Sequence, residues 1–249
     1  MTDMAKQISA DAKALGIDQG DTVLVHSSLR SLGGAKANEV IEGLLDALGP
    51  DGTLVFPTLS YMNCNPSKPL FDYHNTQSNV GYLPEYFRTE VKGVIRSVCP
   101  THSCAALGRN AEFVVSGHKN DKTPCGENSP FRRVLQLKGK ILFLGCGMNC
   151  NTSMHAVEEL SVPDYLFGDD CEYKIIDADG SERTQICRAH GFKGVYQCYY
   201  RLADLLNGDE LKIGNILKAE CQLVYTPAMW EKADKKYRED PHYFIDRAE

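Results

Sequence analysis

Apolar residues recur along the chain at two alternating spacings, and their order predicts the fold class. Residues 3–15 place apolar side chains on one face of a helix that ends at Gly16. Residues 22–26 then form a short β-rich run, residues 38–48 repeat the helical spacing, and residues 53–56 predict a second strand. This order of strand, loop, helix and strand near the start of the chain is typical of an α/β sheet.

The rest of the chain adds a long loop and a hairpin to this pattern. Residues 60–82 lack periodicity and are rich in Asn, Pro, Ser and Gly, which is typical of a functional loop. Residues 171–188 alternate apolar and polar side chains around a Gly-containing turn and predict a β-hairpin. Further predicted elements are helices over residues 83–91 and 195–206, helices that begin at Ser129, near Asn151 and at Thr226, and strands over residues 94–98 and 140–144. We predict that the charged run at residues 231–240, in the last helix, is solvated.

These elements predict a single compact α/β domain over residues 1–249, in which helices flank a central mixed, partly antiparallel sheet. The chain has 249 residues, of which 43% are hydrophobic and 24% are charged, so it can form a sizeable core. Its apolar runs are shorter than the roughly 18 residues that cross a bilayer, and its polar N-terminus lacks the apolar segment of a secretory signal. We therefore expect a cytoplasmic protein without membrane contact.

Net charge and cysteine content limit the classes of partner and of site that the sequence predicts. A net charge of −6 argues against nucleic acid, which requires basic patches, and is compatible with a cationic substrate. The ten cysteines have irregular spacing, so we predict that most of them, for example Cys187 and Cys198, are buried thiols rather than parts of a disulfide framework. Cys146 and Cys150 form the closest pair, but no second pair accompanies them, so we expect no metal site. No heptad pattern specifies an oligomeric state.

His155 and Glu158 lie three residues apart in a predicted helix that follows a strand and a glycine-containing turn. Residues at this spacing share a face, so Glu158 can accept a hydrogen bond from one ring nitrogen of His155 and leave the other nitrogen basic. That arrangement suits a general base that takes a proton from an attacking amine. An incidental pair on a surface helix is the alternative.

The loop after the first strand combines small and polar residues with Arg30. Free backbone N–H groups at a strand–helix junction form an anion nest, which suits a phosphate-bearing ligand such as CoA. The sequence is neither a Walker loop nor a GxGxxG fingerprint, and a plain Gly/Ser connection is the alternative. The residues of this candidate nest are His26, Ser27, Ser28, Leu29, Arg30, Ser31, Leu32 and Gly33.

A third polar cluster follows the strand predicted over residues 94–98. His102 is a candidate ligand contact, although backbone groups could equally satisfy its ring. Cys99 or Cys104 could be considered as a nucleophile, but the sequence does not demonstrate an adjacent basic group that activates either thiol. The candidate contacts in this cluster are Arg96, Ser97, His102 and Ser103.

Several ordered motifs together resemble the aminoglycoside 3-N-acetyltransferase family, most closely over residues 5–160. The resembling stretches are VHSSLRSLG (25–33), LLDALGPDGTLVFPTLSY (44–61), FD (71–72), GVIRSVCPTHSCAALG (93–108), SPFRRVLQLKGKILFLGCG (129–147) and NTSMHAVEE (151–159). The chain departs from the family pattern at Cys99, where His is usual before Pro100, and at Tyr73, where Pro usually follows the Asp.

The resemblance implies a fold distinct from the common acetyltransferase superfold. It also implies transfer of acetyl from acetyl-CoA to the 3-amino group of a 2-deoxystreptamine aminoglycoside, which confers antibiotic resistance. His155 and Glu158 would be the catalytic pair, and residues 26–33 and 96–103 would hold CoA. We expect direct transfer in a ternary complex, with Thr152 or a backbone N–H group at the helix start as the oxyanion donor.

A polycationic acceptor needs carboxylates, so acidic residues in the loops beside these motifs are candidates for its ammonium groups. The predicted substrate-binding residues are Tyr61, Asp72, Glu127, Asp169 and Asp170. Two other function classes stay open at this point. One is a metal-dependent hydrolase that uses His155, Glu158, Cys146 and Cys150, and the other is a non-catalytic CoA-binding protein.

Overall fold

A seven-stranded mixed sheet forms the centre of the computed structural model, which describes residues 1–248. Its strand order is β10-β11-β6-β1-β2-β5-β4. The strands of the chain are β1 (Thr22–Ser27), β2 (Thr53–Pro57), β3 (Leu70–Asp72), β4 (Ile95–Arg96), β5 (Cys104–Gly108), β6 (Lys140–Leu144), β7 (Phe167–Ile176), β8 (Glu182–His190), β9 (Val195–Gln197), β10 (Leu211–Ile216), β11 (Ala219–Tyr225) and β12 (Ile245–Arg247). The predicted mixed sheet is therefore confirmed.

Only the middle of this sheet is parallel. Strand β1 pairs in parallel with β2 on one side and with β6 on the other. The pairs β2–β5, β5–β4, β6–β11 and β11–β10 are antiparallel. The carboxyl ends of three parallel strands thus meet at one edge, where α/β proteins place ligand sites.

Helices cover both faces of the sheet because its central strands are apolar on both faces. Val23 and Val25 of β1 pack into the core on one face, and Leu24 packs into the core on the other. Helices α1 and α2 supply apolar side chains to the first face, whereas α5, α6 and α7 supply them to the second. The helices are α1 (Asp3–Leu15), α2 (Ala37–Leu48), α3 (Tyr82–Glu90), α4 (Ala111–Val115), α5 (Pro130–Gln136), α6 (Ser153–Ser161) and α7 (Thr226–Glu239). Among the described residues, no helix is long and apolar enough to cross a bilayer.

A smaller three-stranded sheet, in the order β3-β7-β8, lies outside the central sheet. Strands β7 and β8 form the predicted antiparallel hairpin, with a register shift between Phe167 and Asp170. Strand β3 adds to β7 in parallel. The long loop predicted over residues 60–82 therefore contains a strand, which ties it to the hairpin.

Three expectations about local structure need correction. The helix predicted over residues 195–206 is a short strand, β9, followed by a 3₁₀ helix at Tyr199–Leu205. The strand predicted over residues 94–98 is limited to β4, and its partner β5 was not predicted. In the last helix, the charged run is not wholly solvated, because Tyr237 is fully buried.

Candidate active site

A cavity of about 620 Å³ opens at the carboxyl ends of the parallel strands. Strand β1 contributes His26 and Ser27 to its wall, and β2 contributes Pro57. Helix α6 contributes Thr152, just before its first residue, and His155. The cavity thus lies at the sheet edge where the topology brings the ends of β1 and β2 together with the start of a helix.

A tight turn between β6 and α6 sets the direction of this helix. Gly145 follows β6 with φ = +68°, and a Cβ atom there would lie 2.6 Å from the Cβ of Ser31, so the turn requires glycine. A 3₁₀ turn at Met148–Cys150 follows. The Asn151 side chain then accepts a hydrogen bond from the Ser153 N–H at 3.2 Å, near the start of α6.

His155 and Glu158 form the predicted pair on α6. The His155 Nδ1 atom lies 3.0 Å from Glu158 Oε2, and the Glu158 side chain is fully buried, whereas 15% of the His155 side chain is exposed. Because a carboxylate only accepts hydrogen bonds, Nδ1 carries the proton that faces Glu158. The other ring nitrogen, Nε2, is then the basic atom available to the cavity.

Three buried tyrosines hold the Glu158 carboxylate in place. The hydroxyls of Tyr165 and Tyr237 donate to Oε1 at 2.9 Å and 3.0 Å, and the Tyr199 hydroxyl donates to Oε2 at 2.9 Å. The Tyr199 oxygen also lies 2.8 Å from His155 Nδ1. Burial, together with the Glu158 carboxylate, raises the pKa of all three phenols, so they stay protonated and donate. The sequence reasoning missed these tyrosines because they come from three distant segments.

A second histidine–glutamate pair borders the first. His190, at the end of β8, places Nε2 2.8 Å from an oxygen of Glu159, the residue that follows Glu158 on α6. The Thr123 hydroxyl and the Cys125 N–H also donate to Glu159, at 2.6 Å and 2.9 Å. The rings of His155 and His190 are 5.3 Å apart, centroid to centroid. The sequence reasoning did not identify His190 as a site residue.

Two further histidines line the cavity, as the sequence predicted for ligand contacts. His26 stacks on Phe143 with ring centroids 5.3 Å apart, and burial lowers its pKa to about 3. The ring of His102 lies edge-on to that of His155 at 5.8 Å. Burial lowers the pKa of His102 well below its usual value, and neighbouring imidazoles add to this effect. Both rings are therefore neutral at physiological pH.

Only the first two residues of the candidate nest reach the cavity wall. His26 and Ser27 line it, and the following residues turn away into the 3₁₀ helix Leu29–Leu32. Within the turn, the Ser31 hydroxyl bonds the Ser28 hydroxyl and the Gly145 carbonyl, both at 2.9 Å. The remaining nest residues are Ser28, Leu29, Arg30, Ser31, Leu32 and Gly33, of which Leu32 is buried and Arg30 and Ser31 are exposed.

Three predicted CoA contacts, Arg96, Ser97 and Ser103, do not line the cavity. Arg96 is buried, and its guanidinium donates to the carbonyls of Tyr73 and Thr76 at 3.0 Å and 2.8 Å. Its Nε also donates to the Ser103 hydroxyl at 3.0 Å, and the Ser97 hydroxyl bonds His118 Nδ1 at 2.9 Å. These groups are occupied inside the protein, and the Arg96 hydrogen bonds fasten the residue 60–82 loop to β4.

The predicted carboxylates also lie outside the cavity, although Tyr61 lines it. Asp72 accepts hydrogen bonds from the backbone N–H groups of His74 and Asn75, both at 2.9 Å, and borders a separate shallow depression. Glu127, Asp169 and Asp170 are exposed on loop or hairpin surface away from the cavity wall. The polar side chains that do face the cavity near Tyr61 are neutral, Asn65 and Asn79 among them.

The two departures from the family pattern have structural roles. The Tyr73 hydroxyl oxygen accepts a 2.7 Å hydrogen bond from the Arg96 N–H, so this residue anchors the loop that carries Asp72. Cys99 is buried, and its sulfur accepts from the His102 N–H at 3.4 Å. Cys99 therefore supports the backbone that presents His102 to the cavity.

The hydrolase hypothesis required four residues to meet. Cys150 lines the cavity, but Cys146 and Cys150 form no group of potential metal ligands with His155 and Glu158 among the residues that the structure describes. All ten cysteines are free thiols, and seven of them, Cys187 and Cys198 included, are buried, as predicted for most of them, whereas Cys150 is exposed.

The fold and this histidine-lined cavity define an α/β protein in which a buried glutamate orients a histidine at the cavity wall. The sequence model described as aminoglycoside 3-N-acetyltransferase matches residues 24–238, which is most of the chain. The chain therefore belongs to the aminoglycoside 3-N-acetyltransferase family, a family of acyltransferases.

Curated relatives agree with this assignment. The aminoglycoside N(3)-acetyltransferase IV of a Salmonella species is 32% identical over 179 residues, which are 70% of this chain and 67% of the relative. The prophage-derived aminoglycoside N(3')-acetyltransferase-like protein YokD of Bacillus subtilis is 32% identical over 177 residues, which are 61% of this chain and 64% of YokD. The aligned part thus spans somewhat less than two thirds of the YokD sequence.

Solved structures share the fold over nearly the whole chain. The aminoglycoside acetyltransferase AAC(3)-IVa apoenzyme has a TM-score of 0.78 at 28% identity, over 96% of this chain and 90% of that one. A histidine-to-alanine mutant of AAC(3)-IVa in complex with a gentamicin has a TM-score of 0.81 at 26% identity, with the same coverage. The binary complex of AAC-IIIb with CoASH, at 23% identity and a TM-score of 0.80, shows the same fold.

Proposed function

We propose that this chain is a single-domain cytoplasmic N-acetyltransferase that transfers acetyl directly from acetyl-CoA to the 3-amino group of a 2-deoxystreptamine aminoglycoside, with His155 as general base. The observation that carries the proposal is the His155 ring at the cavity wall, oriented by a buried carboxylate that accepts from Nδ1. Such an arrangement leaves Nε2 to accept a proton. The family and the gentamicin-bound relative support the choice of acceptor.

The proposed reaction moves one proton and one acyl group. The amine nitrogen attacks the thioester carbonyl while His155 Nε2 takes a proton from the amine. The tetrahedral intermediate then breaks its C–S bond, and the CoA sulfur leaves with the proton that the imidazolium returns. The Glu158 carboxylate stabilises the imidazolium between these steps, because its negative charge faces Nδ1 at 3.0 Å.

Thr152 is the proposed donor to the oxyanion of the intermediate. Its side chain lines the cavity one residue before α6 and does not cap the helix. The N–H groups of Ser153, Met154 and His155 already donate to Asn151 and Thr152. The Thr152 hydroxyl is therefore better placed than these amides to donate to developing charge.

The cavity offers different chemistry to the two substrates. We assign the acetyl-CoA thioester to the side formed by His26, Ser27 and His102, beside the His155 ring. The acceptor then faces Tyr61, Asn65 and Asn79. Neutral side chains can bind hydroxyl and amine groups through hydrogen bonds, so the ammonium charges of the acceptor remain partly solvated.

The decisive test is release of free CoA thiol from acetyl-CoA in the presence of an aminoglycoside panel. The wild-type chain should release thiol with at least one aminoglycoside, and His155→Ala should lower kcat by about 10²–10⁴-fold, the usual contribution of a general base. Acetyl-CoA binding, measured by calorimetry, should survive in the variant. Near-normal turnover of His155→Ala would remove His155 from the mechanism.

The same assay separates the remaining alternative. A non-catalytic CoA-binding protein would bind acetyl-CoA and release no thiol with any amine. Thr152→Val provides a milder test of the oxyanion donor, because it keeps the shape of the side chain and removes its hydroxyl. Loss of one such donor typically lowers kcat by about 10²–10³-fold.

A further inference from the structure

A cluster of metal-binding side chains lies beside the catalytic pair and takes no part in the proposed reaction. The Cys125 sulfur, a Glu159 carboxylate oxygen and a His190 ring nitrogen all lie within 4.8 Å of one another. They come from the loop before α5, from α6 and from the end of β8, so only the tertiary fold brings them together.

The cluster is shielded from solvent. Cys125 is fully buried, and the side chains of Glu159 and His190 are each 3% exposed. A buried carboxylate is costly unless it is paired, and the two groups that donate to Glu159 besides His190 are a neutral hydroxyl and a neutral amide. These donors fix the orientation of the carboxylate, as the partners of a metal ligand do.

The donor set matches one class of cation. A thiolate, an imidazole and a carboxylate are the three ligand types that zinc accepts in tetrahedral sites, whereas calcium and magnesium prefer oxygen alone. Three protein ligands leave a fourth position for water, and His190 also lines the cavity. A dication would balance the charges of the thiolate and the carboxylate, which makes the buried group electrically neutral.

We propose that Cys125, Glu159 and His190 bind one zinc-class divalent cation beside the catalytic cavity. On binding, the Cys125 thiol gives its proton to solvent and the His190 proton moves from Nε2 to Nδ1, so that sulfur and Nε2 are both free to ligate. His190 Nε2 and the Glu159 oxygen, now 2.8 Å apart, must separate to about 3.3 Å for tetrahedral bonds of about 2.0–2.1 Å. That adjustment is within the reach of two side-chain rotations.

The site differs from the cysteine pair that the sequence suggested. Cys150 is exposed and lies in the CGMNC turn, and no His or carboxylate completes a ligand group with it among residues 1–248. The proposed cation would instead connect the loop before α5 to α6 and β8. It would hold His190 against His155 without contributing to proton transfer.

Cobalt substitution of the full-length protein tests the proposal. The purified chain should retain one Zn²⁺ per chain after dialysis. After the metal is stripped, the chain should bind one Co²⁺ and show a thiolate-to-cobalt charge-transfer band. Cys125→Ser should abolish the band and weaken binding by more than the roughly 10–100-fold that follows loss of a partner of a ligand. Cys221→Ser, a matched change at a buried thiol in β11, should leave band and affinity intact.

Three results would overturn the proposal: no stoichiometric metal in the wild-type chain, a band that persists in Cys125→Ser, or a band that disappears in Cys150→Ser alone. His190→Gln supplies a second variant, should Cys125→Ser fold poorly. In the wild-type protein, zinc should raise the Tm, and in His190→Gln this rise should disappear. An unchanged zinc response in a folded His190→Gln protein would exclude His190 as a ligand.

Discussion

Two adjacent glutamates on α6 each hold a histidine at the cavity, and their surroundings give them different chemistry. Glu158 accepts hydrogen bonds from three phenol hydroxyls and from His155, which lies on the same helix, so its hydrogen-bond partners are all donors. Glu159 accepts hydrogen bonds from a hydroxyl, from a backbone amide and from His190, which lies at the end of strand β8. The buried thiol of Cys125 lies beside it. In the proposed reaction the first environment orients the base, and in the proposed cation site the second supplies the ligands.

Side-chain identity alone therefore does not assign a role to either glutamate. Successive residues of a helix point about 100° apart, so Glu158 and Glu159 pack against different neighbours and hold different histidines, His155 and His190, at the cavity wall. The elements that pack on each wall then decide what each carboxylate does. Three predictions test how far the His155–Glu158 and His190–Glu159 pairs differ, and one tests the neutral histidine His26 of the cavity wall, in order of decreasing expected effect.

The largest effect should separate Glu158→Gln from Glu159→Gln. A Gln amide at position 158 turns one acceptor oxygen into a donor, which then faces phenol hydroxyls or the His155 N–H group. We expect kcat to fall by about 10²–10⁴-fold in Glu158→Gln, because the base loses its orientation and its counter-charge. The loss in Glu159→Gln should be at least tenfold smaller, as measured by thiol release. Equal losses would show that the two pairs act as one unit.

Acidification should reveal the neutral histidines of the cavity wall. His26 has a pKa of about 3 in the folded chain against a usual 6.5, so the unfolded chain binds this proton first as the pH falls. His26 should therefore lower the free energy of unfolding by about 1.4 kcal/mol per pH unit below about pH 6.5, down to about pH 3. Urea titrations at pH 7 and pH 5 measure this slope.

The matched variants for this slope are His26→Phe and His242→Gln. His26→Phe should reduce the slope by about 1.4 kcal/mol per pH unit, because Phe can stack on Phe143 and does not titrate. His242 has a 43% exposed side chain, and its removal should leave the contribution of His26 in place. An unchanged slope in His26→Phe would assign the acid sensitivity to other groups, such as His102.

Removal of one phenol should reduce both stability and activity. Tyr237→Phe deletes a buried hydrogen bond to Glu158 Oε1, and hydrogen bonds to charged groups contribute about 1.5–3 kcal/mol. We expect a loss of that size in the free energy of unfolding, with a modest fall in kcat. Tyr196→Phe is the control, because that ring is 65% exposed. An unchanged free energy of unfolding and an unchanged kcat in Tyr237→Phe would mean that the two remaining phenols suffice to hold the Glu158 carboxylate.

The smallest effect should come from the wall of Glu159. Thr123→Val removes the 2.6 Å hydrogen bond to its carboxylate and should cost about 1 kcal/mol, because Thr123 is only partly buried. The control is Thr184→Val at an exposed position of β8. If zinc occupies the neighbouring site, its affinity should fall in Thr123→Val by about 10–100-fold. A zinc affinity equal to that of the Thr184 variant would contradict this.

Local patterns predicted much of the architecture. The short apolar runs of β1 and β6 and the Gly-containing turn of the hairpin specify elements within single segments, and these predictions are confirmed. The helix predicted over residues 195–206 was wrong, because apolar spacing in a short segment cannot distinguish a 3₁₀ helix with a preceding strand from an α-helix. The packing of Tyr199 against His155 and Glu158 decides that conformation.

In the candidate site, too, local sequence patterns predicted some residues, and long-range contacts determined the others. His155 and Glu158 could be paired from sequence because three residues on one helix place them on one face. Arg96 could not be assigned, because the carbonyls that bind its guanidinium come from a loop about twenty residues away. Likewise, nothing local distinguishes the solvated Asp169 and Asp170 from carboxylates that line a cavity.

The sequence by itself determined the alternation of strands and helices, the family motifs and the His155–Glu158 spacing, because each depends on contacts between near neighbours in the chain. The tertiary structure alone decided which phenols hold Glu158, which polar residues face the cavity, and that Cys125, Glu159 and His190 meet. Those outcomes depend on long-range packing, in which burial makes each hydrogen bond and each charge far more consequential than it is in the unfolded chain.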